Sequence, residues 1–472
     1  MRQIFILMMS VLILGLGARA AEKEKPLTNF AHLEHLMEEI RFEEEPVSIV
    51  HIYANYPDYQ WVGAAESGPE GIACVDDAAR AAVVFLRHFE LTGEKQSWQR
   101  AQGLLRFVAR MQTDDGEFYN FVLADHSINK SGRTSYKSFG WWGARGLWAL
   151  AAGCRIGMLV DPGFAAELRE RVNRSLPNVR NLLANFDRDT TIGGLPSATW
   201  LPYGSGADVT SELVLGLLDT YRVTHDTTVR SAIVKFSKGM MLMQDGDAQT
   251  FPYAMHRSWE TLWHMWGNGQ SQALASAGKL LGDSSMIGSA EREAIGFYSR
   301  LLIDGFLKEI DVSSRTTTVF EQIAYGVRPM AIGLLRLYEA NRKPEYLKMA
   351  GLAGAWLFGN NDLRQQMYDP STGRCFDGIR DSATINKNSG AESTIEALAT
   401  VLELERYPIA KGLLYYRRIA SGSSPGFSYA LFRGPAGKET TLLLDLRKSR
   451  IQFLDGSRSR EFWMNPTHRK DH

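Results

Sequence analysis

Two aspartates, Asp76 and Asp77, stand side by side where a glycine-bearing loop runs into the apolar stretch Ala81-Ala82-Val83-Val84-Phe85-Leu86. One acid in the first turn of a helix is ordinary, because free N–H groups and the macrodipole stabilise it by about 0.3–1 kcal/mol when exposed. Two at the mouth of a helix that is apolar all round are less ordinary. Such a helix is buried on most sides, and like charges held close drive their pKa values apart, which is how an acid/base pair is made. Adjacent residues point in different directions on a helical turn, so the pair cannot face one atom. Asp77 is read as the chemical group, and Asp76 as a residue that orients a hydroxyl or buttresses the fold. Cys74, two positions before Asp76, is read as a packed thiol.

Further candidates recur at the equivalent point of later segments. Trp141 and Trp142, Asp208 and Glu212, Trp263, Trp266 and Asn268, Glu321, and Asn388 with Glu392 all stand where an apolar helical stretch begins. Gathered at one mouth, they would suit a sugar, whose C–H faces stack on aromatic rings while carboxylates bind hydroxyls and act at the glycosidic bond. Singly, each has a structural counterpart: a tryptophan near a helix start packs more often than it holds a ligand, and Glu212 and Glu392 could be first-turn dipole partners. Tyr53, Tyr56, Tyr59 and Trp61 precede the aspartate pair, as a substrate-binding lip or as a packed lid. Around one later loop stand Tyr253, His256, Arg257, Trp259 and His264. A proton-carrying His256 or His264 assisted by Tyr253 would fit a lyase or an epimerase, with Arg257 pairing a uronic carboxylate.

The elements that must position these residues are helices. Hydrophobic periodicity predicts them over 29–44, 75–92, 95–112, 140–156, 162–186, 207–225, 227–244, 267–282, 286–307, 317–340, 343–357 and 389–406. Short connectors such as residues 91–94, 224–226 and 341–344 join them into antiparallel pairs. The first member of each pair is the more apolar, the second the more charged. Buried inner and solvated outer helices repeated about six times predict an all-α fold, an (α/α)6 toroid over residues 21–410, instead of the two or three domains that length alone suggests. All inner helices then run the same way and bring their N-termini to one mouth. Residues 411–472 are read as a short C-terminal appendage: a helix over 411–419, strands at 427–433, 440–446 and 451–454, and a polar tail.

Composition narrows the partners. A formal net charge of +0 with 44% hydrophobic residues argues against nucleic acid. Three cysteines, Cys74, Cys154 and Cys375, make no disulfide framework and no ligand cluster, so neither a metal nor a cofactor is expected. Arg2, an apolar run from Ile4 to Leu16 and Ala18-Arg19-Ala20 have the form of a signal peptide over residues 1–20. An exported protein, periplasmic or secreted and free of the membrane after cleavage, is expected.

The helix start Val75-Asp76-Asp77-Ala78-Ala79-Arg80-Ala81, the loop Trp200-Leu-Pro-Tyr-Gly-Ser-Gly-Ala-Asp-Val-Thr-Ser-Glu212, and the late segments 356–362, 367–378 and 388–397 resemble the six-hairpin glycosidase superfamily over roughly residues 50–410. The resemblance implies an Asp base near the start of the ring, Asp76 or Asp77, that activates water, and a Glu acid near its end, Glu392, with Glu321 next in line. It implies an inverting glycoside hydrolase acting on an oligo- or polysaccharide. The same fold hosts lyases and epimerases. A toroid that only binds glycans is the rival from another class.

Overall fold

The computed structural model describes residues 25–42, 45–65 and 70–464. Residues 1–20, expected to be a signal peptide, lie outside them, as does the end of the polar tail. Its helices are α1 Ala31–Leu36, α2 Val75–Thr92, α3 Lys95–Arg110, α4 Trp141–Val160, α5 Pro162–Leu182, α6 Ala207–Thr224, α7 Thr227–Leu242, α8 Gln270–Leu281, α9 Ser284–Glu293, α10 Ser299–Asp304, α11 Val327–Asn341, α12 Pro344–Gly354, α13 Ala391–Glu405, α14 Pro408–Lys411 and α15 Ser457–Met464. Helix α2 packs on α4, α4 on α6, α6 on α8, α8 on α11, α11 on α13, and α13 back on α2. These contacts close a cycle of six inner helices.

Local chemistry explains the hairpins. Four inner helices end in a left-handed residue, Gly93, His225, Gly282 or Arg342, whose N–H bonds back to the last turn. The next helix then starts at once. Asp226 and Asp283 cap the N-termini of α7 and α9, Asp161 caps α5, and Pro162 and Pro344 take first-turn positions where no N–H is needed. With one- or two-residue connectors the second helix can only fold back on the first. Inner helices are buried on all sides; α6 buries every residue from Ala207 to Thr220. Each Leu or Val so buried contributes about 1.5–3 kcal/mol.

Several expected helices change character. Of the described residues in the helix expected over 29–44, only Ala31–Leu36 are helical, as α1, after which Met37–Phe42 and Glu45–Val50 pair antiparallel with Ile40 opposite Val47. That pair packs on α3, where its alternating Ile40, Phe42, Val47 and Ile49 find a surface to bury against. The sixth outer position is filled jointly by α1 and the four-residue α14, both against α13. Residues 317–323 are not helical: β-branched Thr316–Thr318 pairs with Glu309–Asp311, and Gln322–Ile323 with Gly378–Ile379, before a 3-10 turn, Ala324–Gly326, leads into α11. Outer helices α9 and α10 are joined by a π-turn, Ala294–Tyr298, where Gly296 backs so closely on the Tyr253 carbonyl that a Cβ would lie 2.2 Å from its oxygen. After α14 no helix continues to residue 419. A strand starts at Arg417 and opens a four-stranded antiparallel meander, Arg417–Ser424, Phe427–Arg433, Glu439–Asp445 and Arg450–Asp455, which packs on α10 and α12. With these hairpins and the meander the chain is helix-dominated, not purely helical. No helix among the described residues is long and apolar enough to cross a membrane.

Candidate active site

Each inner helix contributes a polar side chain from its first two turns: Arg80, Arg145, Glu212, Gln272, Arg328 and Glu396. All are at most 6% exposed. They form a layer across the axis of the ring. The Arg80 guanidinium donates to Glu396 (2.9 Å) and Asp77 (2.7 Å), and its Nη2 lies 3.4 Å from Glu392. Arg328 donates to Glu212 (2.9 Å) and Gln272 (3.4 Å) and pairs with Glu396. Arg145 donates to Asp76 (2.9 Å) and to the Tyr325 hydroxyl (2.6 Å). The Tyr325 ring lies within 6 Å of all three guanidinium carbons. Burying a charge is costly unless it is paired, and here three guanidiniums serve five carboxylates.

The two aspartates have different surroundings. Asp77 is 4% exposed and accepts from both Arg80 and the Cys74 thiol (3.2 Å). Burial raises its pKa against the opposing pull of Arg80. Asp76 keeps 18% of its side chain exposed and is held by Arg145 and by Asn120 (3.2 Å). Cys74 is therefore more than a packed thiol: its sulfur also accepts from the Asp77 N–H and caps α2.

Glu392 is the acid of the cluster that opens outward, with 47% of its side chain accessible. Desolvation by the surrounding protein, with the charges of Asp77 and Glu396 behind it, raises its pKa to about 7 against Arg80 and Arg145. Asp77 and Glu392 share one Arg80 nitrogen, which caps the separation of the two bonded oxygens at about 6 Å.

Of the other sequence candidates, Trp141 belongs here. Its ring carries the Arg145 guanidinium 4.6 Å from its centroid, and the Trp141 backbone N–H donates to the hydroxyl of Tyr203, an exposed residue with φ of 56°. Asp208 is buried and pairs with His264 (3.0 Å), which stacks on Trp266 at 4.0 Å. Gly267, the next residue, faces the Trp141 ring, so this group borders the same mouth. Asn388 receives the Tyr56 N–H, and Tyr53 sits against Gly390 at the start of α13. Glu321 does not open a helix. It lies on a half-buried segment within electrostatic reach of Asp377, which holds the start of α13 through Gly390 and Ser393.

The remaining candidates are structural. Trp142, one helical step of about 100° from Trp141, is 6% exposed and donates to the Phe118 carbonyl. Trp263 packs edge-on against Phe297. Trp61 stacks on His51 and donates to the His35 carbonyl. His256 is fully buried between Glu293 and Ser289, so it carries no proton to a substrate. Tyr253 lies under the Arg300 guanidinium beside the outer helices. Arg257, also fully buried, is taken up by Asp245, Ser197 and two carbonyls. Among the described residues no group of three or more His, Cys, Asp or Glu could hold a metal ion.

The sequence reading missed Arg80, Arg145, Tyr325, Arg328 and Glu396. A signal was present: Asp76/Arg80, Trp141/Arg145, Asp208/Glu212, Asn268/Gln272 and Glu392/Glu396 are all spaced by four, so each lies one turn below a mouth residue on an otherwise apolar helix.

No family model and no curated protein matches the sequence. Solved structures do match the fold. A cellobiose 2-epimerase from Bacillus thermoamylovorans superposes with a TM-score of 0.58 at 11% identity, over 80% of this chain and 96% of that one. A sugar epimerase from a ruminal bacterium gives 0.53 at 10%, over 75% and 92%. A family 76 glycoside hydrolase from a bovine Bacteroides thetaiotaomicron strain gives 0.51 at 13%, over 78% and 74%. These are six-hairpin, (α/α)6 glycosidase-like enzymes, and the chain shares their fold.

Proposed function

We propose that the chain is an exported carbohydrate-active enzyme, a glycoside hydrolase whose closed cycle of hairpins is an (α/α)6 toroid with a C-terminal β appendage. Its site is the mouth where Asp76, Asp77 and Glu392 meet. The observation that carries this reading is Glu392: a carboxyl half open to the mouth, with its pKa raised to about 7, keeps a proton to give at neutral pH. Asp77 is the carboxylate that activates water, Asp76 orients a sugar hydroxyl, and Trp141 and Trp266 offer ring faces. An inverting pair needs about 6.5–9.5 Å between its carboxyl groups. The cap set by Arg80 applies only to the two bonded oxygens, and the carboxyl carbons lie one C–O bond further back at each end, so that spacing is compatible with Glu392 keeping its 3.4 Å contact, the longest that Arg80 makes to a carboxylate. The export signal and the form of the neighbouring structures support the reading without bearing on mechanism.

The test is product release by the mature protein from neutral and uronic oligosaccharides, with the anomeric form of the product read by NMR. Glu392→Gln and Asp77→Asn should each lose at least about a hundredfold. Activity surviving both changes would discard the assignment, and binding without cleavage would leave a glycan-binding toroid.

One observation favours a second reading. His264 is held by Asp208 through Nε2 and lies against Trp266 at the mouth, while its Nδ1 is buried and has no hydrogen-bond partner. To move a proton at a sugar carbon the ring must turn a nitrogen into the mouth, which the Asp208 contact alone opposes; two of the matched structures are named as sugar epimerases. Conversion of cellobiose or a free aldose to its epimer, lost in His264→Gln and kept in Glu392→Gln, would decide for it.

A further inference from the structure

The axis of the ring has a second end, and a cavity lies there, away from the aspartates. Beneath the layer of Arg80, Gln272, Arg328 and Glu396, the six inner helices enclose about 670 Å3. Its wall is apolar, with Val83, Leu215, Ile332, Ile395 and Leu402 among the lining residues. Its rim lies two turns further along, about 10 Å at 1.5 Å per residue, where seven Arg and Lys side chains meet four carboxylates.

Every carboxylate there is shared between cations. Glu403 takes Arg87 (2.6 Å), Arg336 (3.0 Å) and Arg406. Asp219 takes Arg155 and Arg222, each at 2.8 Å. Glu90 is divided between Arg87 and Arg155. Glu339 is divided among Arg336, Arg406 and Lys279, the last at 4.0 Å. Arg342 has no carboxylate partner among the described residues and lies over the Tyr338 ring. Lys279 and Arg222 keep 49% and 41% of their side chains accessible. Basic residues near helix C-termini complement the macrodipole, and that accounts for single cations. It does not account for a collar held open around a volume within the range of small-molecule sites, because a collar with only a packing role would close to ordinary interior density.

We infer that this reverse cavity binds a small organic anion carrying at least two negative charges, a phosphate ester or a polycarboxylate, with its carbon body on the apolar belt and its charges on Arg222, Lys279 and Arg342. The inference is independent of the reaction proposed at the mouth. The two ends are one side-chain layer apart: Arg80, which holds Asp77 and reaches Glu392, also floors this cavity.

Isothermal titration of the mature protein with glucose 6-phosphate and with citrate at 0.15 M salt tests it, with glucose as the neutral control. Saturable one-to-one binding of at least one anion is expected. It should weaken at least tenfold in the Arg222→Ala/Lys279→Ala double variant and in Arg342→Ala, and stay unchanged in Trp141→Ala at the other mouth. Because the changed side chains sit at the rim, unaltered thermal midpoints without ligand should confirm that these variants fold. No saturable binding of either anion by the parent, binding that survives the rim changes, or glucose binding as tight as glucose 6-phosphate would each overturn the inference.

Discussion

Glu392 and Glu403 sit on the same helix, three turns apart, and their acidities shift in opposite directions. Desolvation pushes both pKa values up, although Glu392 keeps nearly half of its side chain open to the mouth and Glu403 is buried. At the mouth, three guanidiniums are divided among five carboxylates, so Glu392 is left with the longest contact to Arg80 and the nearby charge of Asp77. At the opposite end, Arg336, Arg87 and Arg406 all converge on Glu403 and hold it well below the usual carboxylate range. The same residue type on one element is made a weaker or a stronger acid according to the local balance of charge. Burial alone decides neither.

The largest effect should come from upsetting that balance where it is tightest. Arg80→Ala leaves Asp77 and Glu396 buried without their cation, and a loss of about 3–5 kcal/mol is expected in urea unfolding; a loss below about 1 kcal/mol would mean that the mouth layer is not the paired network described. Arg80→Lys should recover only part of it, since one ammonium cannot fork to two carboxylates.

Next come the opposed pH dependences. A carboxyl whose folded pKa is raised costs stability once it ionises, so Glu392 should make the parent less stable as pH climbs from about 4.5 through about 7. Glu392→Gln should match the parent near pH 4 and exceed its thermal midpoint at pH 8. Glu403, with a depressed folded pKa, has the reverse sign: its contribution is present above the unfolded value of about 4.3 and is lost as pH falls toward its folded one. Glu403→Gln should thus be the less stable protein at pH 7, with the gap narrowing in acid. Like slopes for the two variants would break the comparison.

The smallest effects separate aromatic residues at the mouth from those elsewhere. Trp141→Ala should lower kcat/KM on any cleaved oligosaccharide. Trp61→Ala, which removes a stack on His51, should cost about 0.5–1.5 kcal/mol of stability and leave kcat/KM unchanged.

Much of the ring was legible from the chain because hairpins are made by local rules: a left-handed residue, an aspartate or proline start, and a connector of one or two residues. The opening of α2 with its acid pair, and Glu392 in the first turn of α13, were legible for the same reason. Segments that depend on a partner surface were not. Residues 37–50 carry both an apolar helical pattern and an alternating one, and only the face of α3 selects the hairpin. Which of two adjacent tryptophans meets the mouth depends on how α4 is turned about its axis, and its neighbours settle that. His256 looked like chemistry because its buried partners Glu293 and Ser289 lie more than thirty residues away in sequence.

The sequence by itself determined the period of the helices, their caps and the acids at their first turns, since each depends on hydrogen bonds and sterics within a few residues. Tertiary structure alone decided which side chains share Arg80, Arg145 and Arg328 and how much water each carboxyl keeps, because ionisation in a protein answers to charges brought near in space from far along the chain.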